Sequence, residues 1–164
     1  MTSGKAWTAR SIAPINTPLA ERGAAQQAIG RWRGGLTTKV HMVVDALGLP
    51  VDFEITEGQR HDSQPASALI ERCQPRCLLG DKAYDSDAIR AQLNELGSAA
   101  VIPYKTNRSA PQPWDSELYK ARSEIECTFS LLKQARRFAT RYEKTVRNYA
   151  AVVAIGCSIL WLRI

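Results

Sequence analysis

The stretch from Leu36 to Thr56 constrains the fold more than any other. Leu36-Thr-Thr-Lys-Val-His-Met-Val-Val-Asp45 is rich in β-branched residues, Ala46-Leu-Gly-Leu-Pro50 supplies a turn, and Val51-Asp-Phe-Glu-Ile-Thr56 alternates apolar with polar. β-Branched side chains favour extended backbone, and strict alternation buries one face of a strand, so the segment predicts an antiparallel hairpin. A helix then runs from Asp62-Ser63, read as its cap, to residue 71 or 72. Cys77-Leu-Leu-Gly80 predicts a short buried strand that ends directly at Asp81. A helix over residues 86–96 is closed by Gly97 in a left-handed cap. Ala99-Ala-Val-Ile-Pro-Tyr104 predicts another strand, residues 116–137 a long helix, and residues 146–162 a last, buried one. The order ββαβαβαα describes a mixed α/β domain, with a hairpin on one side and parallel crossovers on the other.

Residues 1–33 have a different texture. Pro14 and Pro18 flank Ile-Asn-Thr, and Gly23, Gly30, Gly34 and Gly35 follow among alanines, glutamines and arginines. Neither the helical nor the strand period lasts beyond one turn, so the segment reads as irregular. Order is expected to begin near residue 34.

Charge divides the chain as well. Ten of the 16 acids fall in residues 42–102, between basic flanks, and the net charge is +6. This pattern suits either a cation-binding centre beside a phosphate-binding surface or ordinary solvated helix faces. Cys73 and Cys77 have no second Cys/His pair to complete a zinc site, and the four cysteines read as small hydrophobes in a reducing compartment. The start of the chain lacks the apolar core of a signal peptide, and the apolar run over residues 149–162 is shorter than the roughly 20 residues of a membrane span. A cytoplasmic protein with no membrane partner is expected.

The long helix carries the sharpest chemical signal. Tyr119, Arg122, Glu126 and Lys133 fall within about 60° of one another, on a stripe about 21 Å long. Leu118, Ile125, Phe129 and Leu132 form a neighbouring stripe that would face the core. A carboxylate between an arginine and a lysine suits a metal held next to a phosphate backbone; spacing alone equally allows an amphipathic helix with intrahelical ion pairs. Asp81 is the second signal, because strand ends are where α/β sheets place functional groups. Asp85 and Asp87 follow it and read as helix-capping acids.

These residues resemble a known family. Tyr119, Arg122, Glu126 and Lys133 match the Y-x(2)-R-x(3)-E-x(6)-K signature of bacterial insertion-sequence transposases of the DDE type, in the superfamily of the fourth and fifth numbered insertion-sequence families. Asp81-Lys-Ala-Tyr84 resembles that group's motif around the second acid. Gly34-Gly-Leu-Thr-Thr-Lys39, Thr56-Glu-Gly-Gln-Arg-His-Asp62, Ile102-Pro-Tyr-Lys-Thr-Asn-Arg108 and Ala139-Thr-Arg-Tyr142 are similar to further stretches of those enzymes. The likeness covers about residues 21–164. It implies a ribonuclease-H-like fold in which three carboxylates hold two divalent ions, Mg²⁺ or Mn²⁺, for in-line attack on phosphorus. Asp81 would be the second acid and Glu126 the third, both as catalytic metal ligands, with Tyr119, Arg122 and Lys133 on the DNA side. The implied partners are DNA, at insertion-sequence ends and target, and further copies of the chain on that DNA. The implied location is the nucleoid.

The first acid of that pattern is missing. The family carries it on a central strand before the hairpin, where this chain offers Ala9-Arg-Ser-Ile-Ala-Pro-Ile-Asn-Thr17. Pro14 cannot donate to a central ladder, so the expectation is a mixed sheet lacking its first central strand, with two exposed edges. Residues 1–33 would be irregular or out of frame, and residues 34–164 a partial catalytic domain. If residues 14–20 are encoded CCC ATC AAC ACG CCG CTG GCG, reading from the third base gives His-Gln-His-Ala-Ala-Gly. Ile12 and Ala13 can supply Arg-Ala before it, as the family would have. The chain is then the downstream half of a frameshifted gene, with an upstream-frame product as partner, or the remnant of a decayed one. Asp45 is the one nearby acid that could substitute, and it reads as a turn residue. An active transposase, an inactive fragment that binds DNA or the full-length enzyme, and a carboxylate-pair hydrolase such as a glycosidase are the competing functions. The basic stripe around Glu126 disfavours the last, because it should depress a carboxylate pKa.

Overall fold

The computed structural model describes residues 9–18, 27–32, 35–106, 108 and 113–163, with backbone alone for 9–18 and Trp32. Six strands form one sheet: β1 (Ala9–Pro18), β2 (Gly30–Trp32), β3 (Gly35–Val44), β4 (Pro50–Glu57), β5 (Cys77–Gly80) and β6 (Ala99–Val101). Six helices accompany them: α1 (Ser63–Cys73), α2 (Asp87–Glu95), α3 (Ser116–Tyr119), α4 (Ser123–Lys133), α5 (Arg136–Ala139) and α6 (Val146–Trp161).

The hairpin is β3 and β4, antiparallel with Val40 opposite Ile55 and Met42 opposite Phe53. Asp45 makes its turn: its Oδ1 accepts from the Leu47 and Leu49 amides, both at 2.9 Å, and Gly48 takes φ +78°. β3 is buried from Thr37 to Val44 because it is covered on both faces. Val40, Met42 and Val44 pack with Ile125, Phe129 and Leu132 of α4 and with Tyr149, Val153 and Cys157 of α6. Val43 points the other way, to Leu69 and Ile70 of α1, Leu78 of β5, and Ile89 and Leu93 of α2. The period-2 alternation of one strand thus sorts the helices into two layers.

The expectation of a missing central strand is overturned. β1 lies between β3 and β5, antiparallel to the first (Ser11 opposite Val44, Pro18 opposite Thr37) and parallel to the second (Ala9 opposite Cys77, Ile12 opposite Gly80). The two open edges expected inside the sheet are therefore joined. Pro14 is tolerated because β5 ends at Gly80. From Ala13 onward β1 has β3 as its one ladder partner, and a proline nitrogen facing away from β3 removes no ladder bond. Residues 9–18 and 30–32 are extended rather than irregular; the rest of the segment read as out of frame, residues 1–8 and 19–26, lies outside the described residues. Thr37 pairs with Pro18 on one flank and Gly30 on the other, so β2 extends the flank occupied by β4.

Other expectations need smaller corrections. The long helix tightens into a 3₁₀ turn over Lys120–Arg122 and stops at Lys133, with α5 separate after it. α6 is buried on one face only; Ile155 and Ile159 are exposed on the other. Asp62 occupies the cap position of α1 without a side-chain cap bond, because its carboxylate is bound to Lys39. Cys77 and Cys157 are buried and Cys127 is exposed, all as free thiols. Among the described residues no helix is long and apolar enough to cross a membrane.

Two motifs have a structural explanation. Arg141 is completely buried, donating to Thr38 Oγ1 at 2.6 Å and to the Glu143 carbonyl at 3.0 Å while lying over the Tyr149 ring. It ties the loop before α6 to the start of the hairpin. A Cβ at Gly58 would lie 1.8 Å from Thr37 Oγ1 and 3.2 Å from the Thr37 carbonyl oxygen. Thr37 is buried and β-branched, so it cannot move aside. Gly58→Ala is expected to cost about 1–3 kcal/mol by overpacking, measured as a shift in urea midpoint; an unchanged midpoint would show that the strand end can part.

Candidate active site

Asp81 follows β5 immediately. Its Oδ1 accepts the Ala83 amide at 2.8 Å, so the carboxylate caps a 3₁₀ turn over Lys82–Tyr84 and stays half-buried. The parallel register runs Ser11 with Leu79 and Ile12 with Gly80, so the next position, beside Asp81, belongs to Ala13. No aspartate or glutamate occurs in β1.

The helix bearing the other predicted residues is anchored by its first turns. The 3₁₀ turn Lys120–Arg122 contacts both β1 and β5, and α4 packs on β1 and β3. Residues three apart eclipse one another in a 3₁₀ turn, which sets the Arg122 guanidinium 5.7 Å from the centre of the Tyr119 ring. Tyr119 itself meets Trp114 edge to face at 4.9 Å and packs beside Cys77, Leu79 and Val101. The tyrosine therefore props the ends of β5 and β6. Arg122 Nη2 donates to Glu126 Oε1, with the arginine side chain 21% and the glutamate 61% exposed. Lys133 is exposed at the far end of α4, about 16 Å along the axis from Arg122.

Tyr84 joins these pieces. It is completely buried, its hydroxyl has no hydrogen-bond partner among the described residues, and burial pushes its pKa up. The charges of Asp62 and Asp81 raise it further and that of Arg122 lowers it. The structure engages Glu126 with Arg122, sets Asp81 at the end of the strand that the Lys120–Arg122 turn contacts, and leaves Lys133 apart. Among the described residues no three His, Cys, Asp or Glu side chains form a group that could hold a metal ion. Asp45 does not fill the gap. It follows Val44, which pairs with Ser11, and it is committed to its turn, about 10 Å along and 10 Å across the sheet from Asp81.

Two features escaped the sequence. Asp85 was expected to cap a helix, yet Ser86 does that, accepting from the Ile89 amide. Asp85 is instead a buried hub, bound by Arg90 Nε at 2.8 Å, Arg108 Nη1 at 3.0 Å and the Lys105 amide at 2.8 Å. Around Asp62, Lys39 Nζ donates to Oδ1 at 2.8 Å, and buried His41 lies 4.0 Å away with Nε2 on Thr56 Oγ1. Desolvation lowers the His41 pKa to about 4, which keeps the imidazole neutral. A lysine and a histidine inside a β-branched run were the available signal, since that strand buries both faces.

The family described as transposase DDE domain matches residues 11–161. A Brucella ovis protein described as the transposase for insertion sequence element IS6501 is 40% identical over 130 residues, which cover 78% of this chain and 100% of that one. The chain belongs to the DDE transposase family. A Burkholderia cepacia relative, described as the transposase for IS402, is 27% identical over 75% of this chain and 62% of its own length. A cryo-EM structure of the piggyBac transposase synaptic complex with hairpin DNA superposes with a TM-score of 0.64. The match covers 92% of this chain and 45% of that one at 9% identity, and so speaks for the fold. The mixed α/β sheet with flanking helices is the architecture expected of the family, which generally uses divalent metal ions.

Proposed function

We propose that this chain is the catalytic core of an insertion-sequence transposase acting on DNA at the ends of its element, with Asp81 and Glu126 as the second and third acids. One juxtaposition carries the reading. An acid stands at the end of β5 beside a central β1, and the helix with Tyr119, Arg122, Glu126 and Lys133 starts against both strands. Arg122 can bind a phosphate bidentately and Lys133 acts as a point charge further along the strand. Their alignment on one helix suits a DNA backbone in the nucleoid, with further copies of the chain assembled on it.

Carboxylate oxygens are the hard donors that Mg²⁺ or Mn²⁺ takes, and such ions stabilise the attacking and leaving oxygens of phosphoryl transfer. The fit in this chain is incomplete. One Asp81 oxygen is held by the Ala83 amide, Glu126 is held by Arg122, and β1 offers Ala13 where a neighbouring acid is needed. That observation favours a second statement: the chain alone is inactive, and completion requires an upstream-frame product that supplies the first acid.

The test is Mg²⁺- or Mn²⁺-dependent nicking of DNA carrying the element's end. The isolated chain should be inert, and a frame-corrected fusion active. Asp81→Ala and Glu126→Gln in that fusion should each abolish cleavage. Nicking by the isolated chain that vanishes in both variants would reveal a third ligand within these residues. An inert fusion would mark the gene as decayed.

A further inference from the structure

Three motifs of the sequence have no part in the proposed chemistry: the Lys39 strand, the turn ending at Asp62, and the loop containing Lys105. The fold gathers all three around one cavity of about 420 Å³, lined by Lys39, Arg60, His61, Asp62, Ala83 and Lys105. Its size is that of a ligand pocket. Ala83 is the residue whose amide holds Asp81, so the cavity opens one turn from the candidate second acid.

The charges in this cavity do not cancel. Asp62, its acid, is bound by Lys39, which is nearly buried and also donates to the Arg60 carbonyl at 2.9 Å. Lys39 therefore neutralises the acid and fixes the turn that presents Arg60 and His61. Arg60 rests on a neutral group, Gln64 Oε1, through Nε at 3.2 Å and Nη2 at 3.1 Å, and keeps its charge. Lys105 also lines the cavity, and its amide is tied to Asp85 at 2.8 Å. Two cations on separately anchored segments thus face one space.

We propose that this cavity binds a phosphate of the DNA strand, with Arg60 and Lys105 as its two grips and Lys39 as the buried residue that positions the Arg60 turn. The inference rests on the reading of the chain as a DNA-acting transposase. The strand is held on both sides of Asp81, by Arg122 on the helix side and by this pocket on the other. A phosphate inside the strand and a 5′-terminal phosphate share the chemistry the pocket recognises.

Binding of the full chain to a labelled oligonucleotide, with and without a 5′-phosphate, is measured by fluorescence anisotropy across salt concentration. The R60A/K105A double variant should bind about 10- to 100-fold more weakly, the loss of charge-assisted hydrogen bonds. The slope of log K against log salt should fall by about 1, the loss of one phosphate contact. Equal loss on both oligonucleotides identifies an internal phosphate, and loss confined to the phosphorylated one identifies the terminal phosphate. Both supporting outcomes require a melting temperature equal to wild type, which excludes misfolding. Lys39→Ala should weaken binding and lower the melting temperature together, as a positioning residue does. Unchanged binding by the double variant overturns the pocket; if Lys133→Ala is weakened in the same assay, the DNA reading stands without it. Absence of DNA binding by the wild-type chain overturns both.

Discussion

Asp85→Ala is expected to lower the melting temperature by roughly 6–20 °C. The Asp85 carboxylate is fully buried between Arg90 and Arg108 and also accepts the Lys105 amide. Removing the carboxylate of a buried ion pair leaves Arg90 with the Ile102 carbonyl and takes from Arg108 the buried one of its acids, Asp87 being exposed; breaking such a pair costs about 3–5 kcal/mol. In a chain of this size each kcal/mol is worth about 2–4 °C. Arg90 also donates to the Ile102 carbonyl at 2.9 Å, so the damage should spread to the loop that carries Lys105. Asp85→Asn keeps an acceptor for the Lys105 amide and should lose less. A calorimetric drop below about 2 °C for the alanine variant would mean that the two arginines find water or other acceptors.

The same carboxylate sets an acid limit. Burial alone would raise its pKa, but the Lys105 amide and the Arg90 and Arg108 guanidinia outweigh burial and hold it below the ordinary value. A depressed folded pKa contributes stability that is complete above the unfolded value of about 3.9 and is lost as pH falls through the folded one. The wild-type melting temperature should therefore fall more steeply below about pH 4 than that of Asp85→Asn. Parallel curves would place the acid sensitivity elsewhere.

What the sequence discloses and what it hides divide along local and non-local lines. The β3–β4 hairpin, β5 and α6 are legible because their apolar patterns are local consequences of burial. β1 is not, because Ala9–Pro18 contains two prolines and its strand character comes from partners 19 and more residues away. The 3₁₀ turn at Lys120–Arg122 contains no breaker, and it follows from packing against β1 and β5. At the candidate site, Asp81 is readable as the residue that ends an apolar strand, and Glu126 by its place in a four-residue spacing. Asp85 looks like any acid at a helix start, since its partners Lys105 and Arg108 are 20 and 23 residues away. The charge of Lys39 inside a buried strand makes sense only once Asp62 stands opposite it.

Ala13→Asp is expected to raise the affinity of the chain for divalent metal ions. The register sets position 13 beside Asp81, on the central strand that α4 packs against. A carboxylate there faces another carboxylate, which without metal destabilises the ionised pair, and aspartate is also a poor strand former. The metal-free variant should therefore melt below wild type, by about 1 kcal/mol or more. A bound divalent ion relieves the repulsion. At a concentration 100-fold above its Kd the ion adds about 2.7 kcal/mol of stability, or roughly 5–11 °C for this chain length. Wild type should show no comparable rise in Mn²⁺, and the metal Kd of the two chains should differ by about 100-fold or more, since loss of even an outer-shell partner costs 10- to 100-fold. Ala13→Asp combined with Glu126→Gln should lose most of the gain, because the proposed third acid is then neutral. If Mn²⁺ raises the melting temperature of wild type and Ala13→Asp equally, the missing first acid does not belong at position 13. If it raises the single and double variants equally, the ion sits on Asp81 and the new aspartate without Glu126. The helix residue would then be an ion-pair partner of Arg122 and not a ligand.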